Sequence, residues 1–276
     1  TGNNRLILQT HFEGQDLQDF AKGTNSAKDF IFSFYCKSTK MGTFTVELED
    51  TDNTGDGGAR SVSRHFTISN TEWNRYEINF GADTVGAFDN DNNKSIDIFF
   101  WLVAGPSYSN GSSLKEQWAA HIDDRRAYGT SNGADSTSND FYFTGVQLEV
   151  GRNGGNATEF EHRSFAEELA LCQRYFYKNT DTPLGLFISD SADASKAYGI
   201  YRFPVPMRAV PQIVLSDNNG NTDNKVTQHG AAHDIAATAS QIQKEGFARV
   251  VKSSGNWNTT ASKPIICGVT SADAEL

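Results

Sequence analysis

Two kinds of side-chain chemistry stand out in this chain: oxygen-rich loops and scattered large aromatic rings. The stretch DTDNTGD holds Asp50, Asp52, Asn53 and Asp56, and FDNDNN holds Asp89, Asp91 and Asn92. A hard cation such as calcium takes about six to eight oxygens, often from alternating residues of one loop. Asp89 and Asp91, followed by Asp50 and Asp52, are therefore candidate metal ligands. Neither loop has the glycine and distal glutamate of an EF-hand. The same residues also suit Asx turns, in which Asp and Asn side chains cap their own backbone. The sequence leaves both readings open.

Among the rings, Trp73, Trp101, Trp118 and Tyr108 are candidates for stacking on sugars, whose apolar C–H faces match aromatic faces. Trp101 draws most interest because its strand is apolar on both sides, and the loop 105–118 offers a rim. Each ring equally suits a core. Trp257, in SSGNWNTTAS, is a further candidate anchor beside a second polar loop, SDNNGNTDN (216–224). No catalytic residue is assigned. No carboxylate pair stands out as a glycosidase would require, and no repeat marks a β-helical depolymerase. His229 and His233 are spaced as helical metal ligands, but their surroundings read as loop or strand. The expectation is a protein that is not an enzyme.

The elements that must hold these groups are mostly strands. TFTVELED puts Phe44, Val46 and Leu48 on one face, with Thr45, Glu47 and Glu49 on the other. WNRYEINF buries Tyr76, Ile78 and Phe80 and exposes Arg75, Glu77 and Asn79. FYFTGVQLEV is expected to send Tyr142, Val146, Leu148 and Val150 inward. IFSFYCK and IDIFFWLVA are apolar on both faces and belong in the middle of a sheet. Short strands between Asn-, Asp- and Gly-rich turns predict an antiparallel β-sandwich, most simply a jelly roll.

One amphipathic helix interrupts the pattern. Ser164 and Glu167 form a predicted capping box, and Phe165, Leu169, Cys172 and Phe176 make one apolar stripe. Such a short helix is marginal alone, so the stripe must pack on the chain's own sandwich or on copies of itself. Beyond Thr180 the pattern returns to short strands. The predicted layout is a jelly-roll domain over 1–160, a linking helix over 161–180 and a small β-sandwich tip domain over 181–276. His162 is expected at the junction, with Glu161 and Arg163 beside it.

The chain has 276 residues and a net charge of −10. That balance argues against a nucleic-acid partner and against adhesion to an anionic membrane. It suits neutral sugars and divalent cations, and it also suits plain solubility. No apolar run approaches transmembrane length, so membrane insertion is not expected. Cys36, Cys172 and Cys267 have no metal-ligand spacing and are expected to be free and mostly buried.

The segment DSTSNDFYFTGVQLEVG followed by ATEFEHRSFAEELALCQRYFYK resembles a recurrent module of bacteriophage tail fibres and related virion proteins. EGQDLQDFAKGT, FSFYCKS, VELEDTDNT, GAFDNDNNKSIDIFFWLVAG, YRFPVPMRAVPQIVLSD and TSADAEL fit it too, so the resemblance covers nearly the whole chain. It implies a carbohydrate-binding-module-like jelly roll, a connecting helix and a β tip domain. It also implies a homotrimer with Phe165, Leu169, Cys172 and Phe176 near its axis, other tail proteins as neighbours, and a place on the virion at the host surface. The module's first strands would precede Thr1. The implied function is attachment to a bacterial surface glycan or receptor, with a structural calcium as a possible cofactor. The alternatives are a fibre enzyme that trims polysaccharide and a purely structural virion adaptor.

Overall fold

A strand with one apolar face needs a second layer to cover it, and the first half of this chain builds two. The computed structural model describes residues 2–53, 59–151, 156–179, 185–189, 193–217, 224–228, 232–255, 257 and 265–274. The chain forms two compact units, residues 1–162 and 163–275. The first contains β1 (Arg5–Glu13), β2 (Phe30–Ser38), β3 (Gly42–Asp50), β4 (Arg60–Ile68), β5 (Asn74–Phe80), β6 (Lys94–Ala104), a one-turn helix α1 (Pro106–Ser109), β7 (Ala119–Ala120) and β8 (Phe141–Val150). They pair antiparallel as a five-stranded sheet, β1-β6-β3-β4-β7, and a three-stranded sheet, β5-β2-β8. Most consecutive strands switch sheets, giving the expected sandwich. β6 and β2 occupy interior positions, as their two apolar faces require.

The core lies between the sheets. Phe30, Phe32, Phe34 and Cys36 of β2 meet Phe44, Val46 and Leu48 of β3 and Ile96, Ile98, Phe100 and Leu102 of β6. Phe34 sits at its centre, with ring centroids of Phe66 at 5.1 Å, Phe100 at 5.0 Å and Tyr76 at 5.4 Å. Burial pushes the Cys36 thiol up to about 12, which leaves it a small apolar core residue without thiolate character.

Two details depart from strict alternation. On β3, Thr45 and Glu47 lie on the face opposite Phe44, Val46 and Leu48, as their spacing predicts, yet both are fully buried. The segment after β6 folds over the outer face of the five-stranded sheet and makes a second, smaller core with Phe99, Trp101 and Ala127. On β8, Tyr142 is 50% exposed and Val146 also faces out, while Phe141 and Phe143 pack inward. The cause is a bulge. Tyr35 pairs with Thr144 but Ser33 pairs with Gln147, so Gly145 and Val146 together oppose Phe34. One extra residue reverses which side chains point inward on the N-terminal side of the bulge. Gly145 has φ 57°, the left-handed region that a bulge of this kind asks of its glycine. Leu148 and Val150, beyond the bulge, pack inward as their spacing predicts.

The second unit begins with α2 (Phe165–Gln173) and continues as β9 (Phe176–Asn179), β10 (Gly185–Ser189), β11 (Lys196–Arg202), β12 (Gln212–Ser216), β13 (Lys225–Gln228), β14 (Ala232–Gln243), β15 (Gly246–Lys252) and β16 (Ile265–Asp273). The sheet runs β10-β11-β15-β14-β13-β16 and returns to β10 through Gly185–Cys267 and Leu186–Ile266 pairing. The expected small β-sandwich thus takes the form of a sheet closed on itself through β10 and β16. β9 and β12 extend it along the C-terminal part of β16. Inside, Phe187 and Tyr201 stack on Phe247 at 5.5 and 5.1 Å.

α2 has the predicted capping box: the Ser164 hydroxyl accepts from the Glu167 amide, and the Glu167 carboxylate accepts from the Ser164 amide. It ends earlier than the stripe suggests, so Phe176 lies in β9 and not in the helix. None of the helix residues is buried. Cys172, expected to be buried, is exposed.

Candidate functional site

The outer face of the three-stranded sheet carries Tyr35, Arg75, Glu77, Gln147 and Glu149, and the segment after β8 crosses it. Its backbone is held by those side chains. The Ala157 amide donates to Glu77 Oε2 at 3.2 Å, the Thr158 amide to Glu149 Oε1 at 3.1 Å and the Glu161 amide to Gln147 Oε1 at 2.9 Å. Arg75 is 3.0 Å from Glu77 and donates to the Thr158 carbonyl. Residues 157–161 therefore form a strap, with three of its amides and one carbonyl bonded to the sheet beneath.

Beside the strap lies a cleft of about 570 Å³ lined by Tyr35, Trp73, Thr144, Gly145, Glu159, Phe160 and His162. The bulge makes its floor. A Cβ on residue 145 would meet the Tyr35 ring at 3.0 Å, so glycine lets that ring close over the strand, and the Phe160 ring would lie at ordinary contact distance, 3.7 Å. His162 sets its ring edge-on to Phe160, with centroids 5.0 Å apart. The indole of Trp73 is 47% exposed. An apolar aromatic surface with a few polar groups, Thr144, Glu159 and His162, is the pattern of a small-ligand site. His162, the last residue of the first unit before the helix, also forms a wall of this cleft.

Of the rings named from sequence, Trp73 lines this cleft; the others lie elsewhere. Trp101 is 1% exposed, its Nε1 donates to Glu47 Oε2 at 2.9 Å, and its ring faces Tyr108 at 5.1 Å. Arg126 donates to the same Glu47 carboxylate at 2.9 and 3.0 Å, and its guanidinium lies 5.1 and 5.2 Å from the Phe99 and Trp101 rings. Burial pushes the Glu47 carboxyl up, and Arg126 opposes that push. The neighbouring Lys115 is also enclosed and donates to the Ala119 and Ala120 carbonyls. Its pKa is lowered to about 8, chiefly by burial. Trp101 thus belongs to a buried ionic layer and presents no face to a ligand. Trp118 packs on Phe30 at 5.5 Å and donates to the Gly81 carbonyl at 2.9 Å. Tyr108 is half-buried and accepts from Arg5 at 2.7 Å. Trp257 is 2% exposed beneath Lys252, so it is no exposed anchor. Most of the loops 216–224 and 253–262 around these positions, and His229, lie outside the described residues.

Among the described residues no group of three or more His, Cys, Asp or Glu side chains is placed to hold a metal. Asp91 caps its own turn at the Asn93 amide, 2.9 Å. Asp52 accepts from the Asp89 amide at 2.9 Å. Asp50 is committed to a cation already. The Lys22 ammonium lies 2.5 Å from Asp50 Oδ2 and 3.2 Å from Asp83 Oδ2, and donates to the Val85 and Gly86 carbonyls at 3.0 and 2.7 Å. Its side chain is fully enclosed, over the rings of Phe88 and Trp118. Two carboxylates and two carbonyls converge on this ammonium much as they would on a structural cation. Burial acts to raise the Asp83 carboxyl, but Arg60 and Lys22 outweigh it and hold it below the usual range. Asp50, Asp52 and Asp91 therefore serve turns and a lysine. Asp56 lies outside the described residues.

No protein-family model matches the chain, and no curated protein is significantly similar to it.

Lys22 gives a direct test of the metal question. Replacing it with Met leaves the buried Asp50 without a cation, while Asp83 keeps Arg60, and is expected to destabilise the first unit by about 3–5 kcal/mol. The melting temperature of the native protein is expected to stay unchanged by EDTA or by added calcium. A calcium-dependent rise in the native protein would contradict the assignment.

Proposed function

We propose that this chain is an attachment protein of a phage tail fibre or related virion structure, which grips a bacterial surface glycan without chemically altering it. The observation that carries the glycan reading is the aromatic cleft, where Trp73, Tyr35 and Phe160 offer ring faces and Thr144 and Glu159 offer hydrogen-bonding groups. Rings meet the C–H faces of a sugar while polar groups at the margin fix its hydroxyls. Glu159 is the one carboxylate among the described lining residues, whereas most glycoside hydrolases work with two. That favours binding over cleavage. Among the described residues no helix is long and apolar enough to cross a membrane.

The attachment reading also includes a homotrimer joined through α2. Phe165 is 81% exposed, and Leu169, Cys172 and Phe176 are exposed with it. A capped helix with an uncovered apolar stripe suits packing against copies of itself. Three copies would raise the effective concentration of weak sites at a glycan-coated surface.

Two experiments test these claims. Trp73→Ala, which removes an exposed ring and leaves the core intact, is expected to weaken glycan or host-cell binding by about 2 kcal/mol or more. Binding unaffected by that change would reject the cleft as the site. Sedimentation of the native chain is expected to give a trimer, and Leu169→Asp a folded monomer. A native chain that sediments as a monomer would remove the helix from the assembly.

A further inference from the structure

The charges around the cleft narrow the ligand, and we infer that it is an uncharged oligosaccharide, with Glu159 discriminating against acidic glycans. This rests on the glycan reading above and specifies its ligand class. Among the described lining residues Glu159 is the one acid, and none is Lys or Arg. Arg75, beside Tyr35 on the same sheet face, is engaged by Glu77 and by the Thr158 carbonyl. Glu77 and Glu149 add two further carboxylates beneath the strap. A sugar carboxylate or sulfate entering here would lose water and gain no cation in exchange. A neutral sugar meets the opposite situation. An ionised carboxylate is purely an acceptor, so Glu159 suits sugar hydroxyls, which donate. Thr144 supplies a hydroxyl able to do either. The volume of about 570 Å³ falls within the range of small-ligand sites. The strap fixes Glu159 in place, because its neighbour Thr158 is bonded to Glu149 through both amide and hydroxyl.

The test is calorimetric titration of the full chain at pH 8, where imidazole charge does not enter, and at low ionic strength. The probes are cellohexaose, maltohexaose, chitohexaose and a mannuronate hexamer. At least one neutral hexamer is expected to bind about tenfold or more tightly than the mannuronate, the order of effect of one poorly screened like-charge contact. Glu159→Gln is expected to narrow that gap by strengthening mannuronate binding. Mannuronate binding as tight as the best neutral hexamer would overturn the inference and leave the glycan reading standing. An unchanged gap in Glu159→Gln would overturn the role given to Glu159. Binding by none of the four hexamers would defeat the glycan reading itself, and this inference with it.

Discussion

The bulge at Gly145 and Val146 is the constraint on which the candidate site depends. It lets Phe141 and Phe143 join the core on one side while Leu148 and Val150 join it on the other. Without the extra residue, one of those pairs would face solvent. The same left-handed glycine leaves a shallow place on the outer face where Tyr35 closes in, with Phe160 at contact distance. A packing device of the core thus shapes the cleft above it. The strap then follows, because β8 delivers residues 157–161 across its own sheet, where Glu77, Gln147 and Glu149 await the backbone amides.

The sandwich also uses buried charges as internal fasteners. Lys22 ties the loop after β5 to the end of β3, and Arg126 ties the cover of the five-stranded sheet to Glu47 and Glu49. Such pairs add little net stability compared with apolar residues of the same shape, but removing one partner is costly. Their effect is to penalise any other placement of long loops that carry few apolar residues.

Much of the fold was legible because its strands obey simple rules. β5 exposes Glu77 and Asn79 and buries Ile78 and Phe80 as its period-two pattern states, while Arg75 and Tyr76 are half-buried. β6, apolar on both faces, lies between β1 and β3. The Ser164–Glu167 capping box formed as its spacing predicts. What failed was long-range. Nothing local to Trp101 reveals that the segment around Arg126 will cover it. Nothing local to Asp50 reveals a lysine arriving from residue 22. The cleft had one readable trace, the glycine inside FYFTGVQLEV, since an isolated glycine in a strand often marks a bulge or a close approach. Trp73 was weighed as one ring among several, because its partners Tyr35 and Phe160 are distant in sequence.

The most direct test of the account is an amide NMR titration of the full chain with a neutral oligosaccharide. The account predicts shift changes that saturate together at Tyr35, Trp73, Thr144, Gly145, Phe160 and His162. Changes confined to the second unit, with those six amides unmoved, would contradict it.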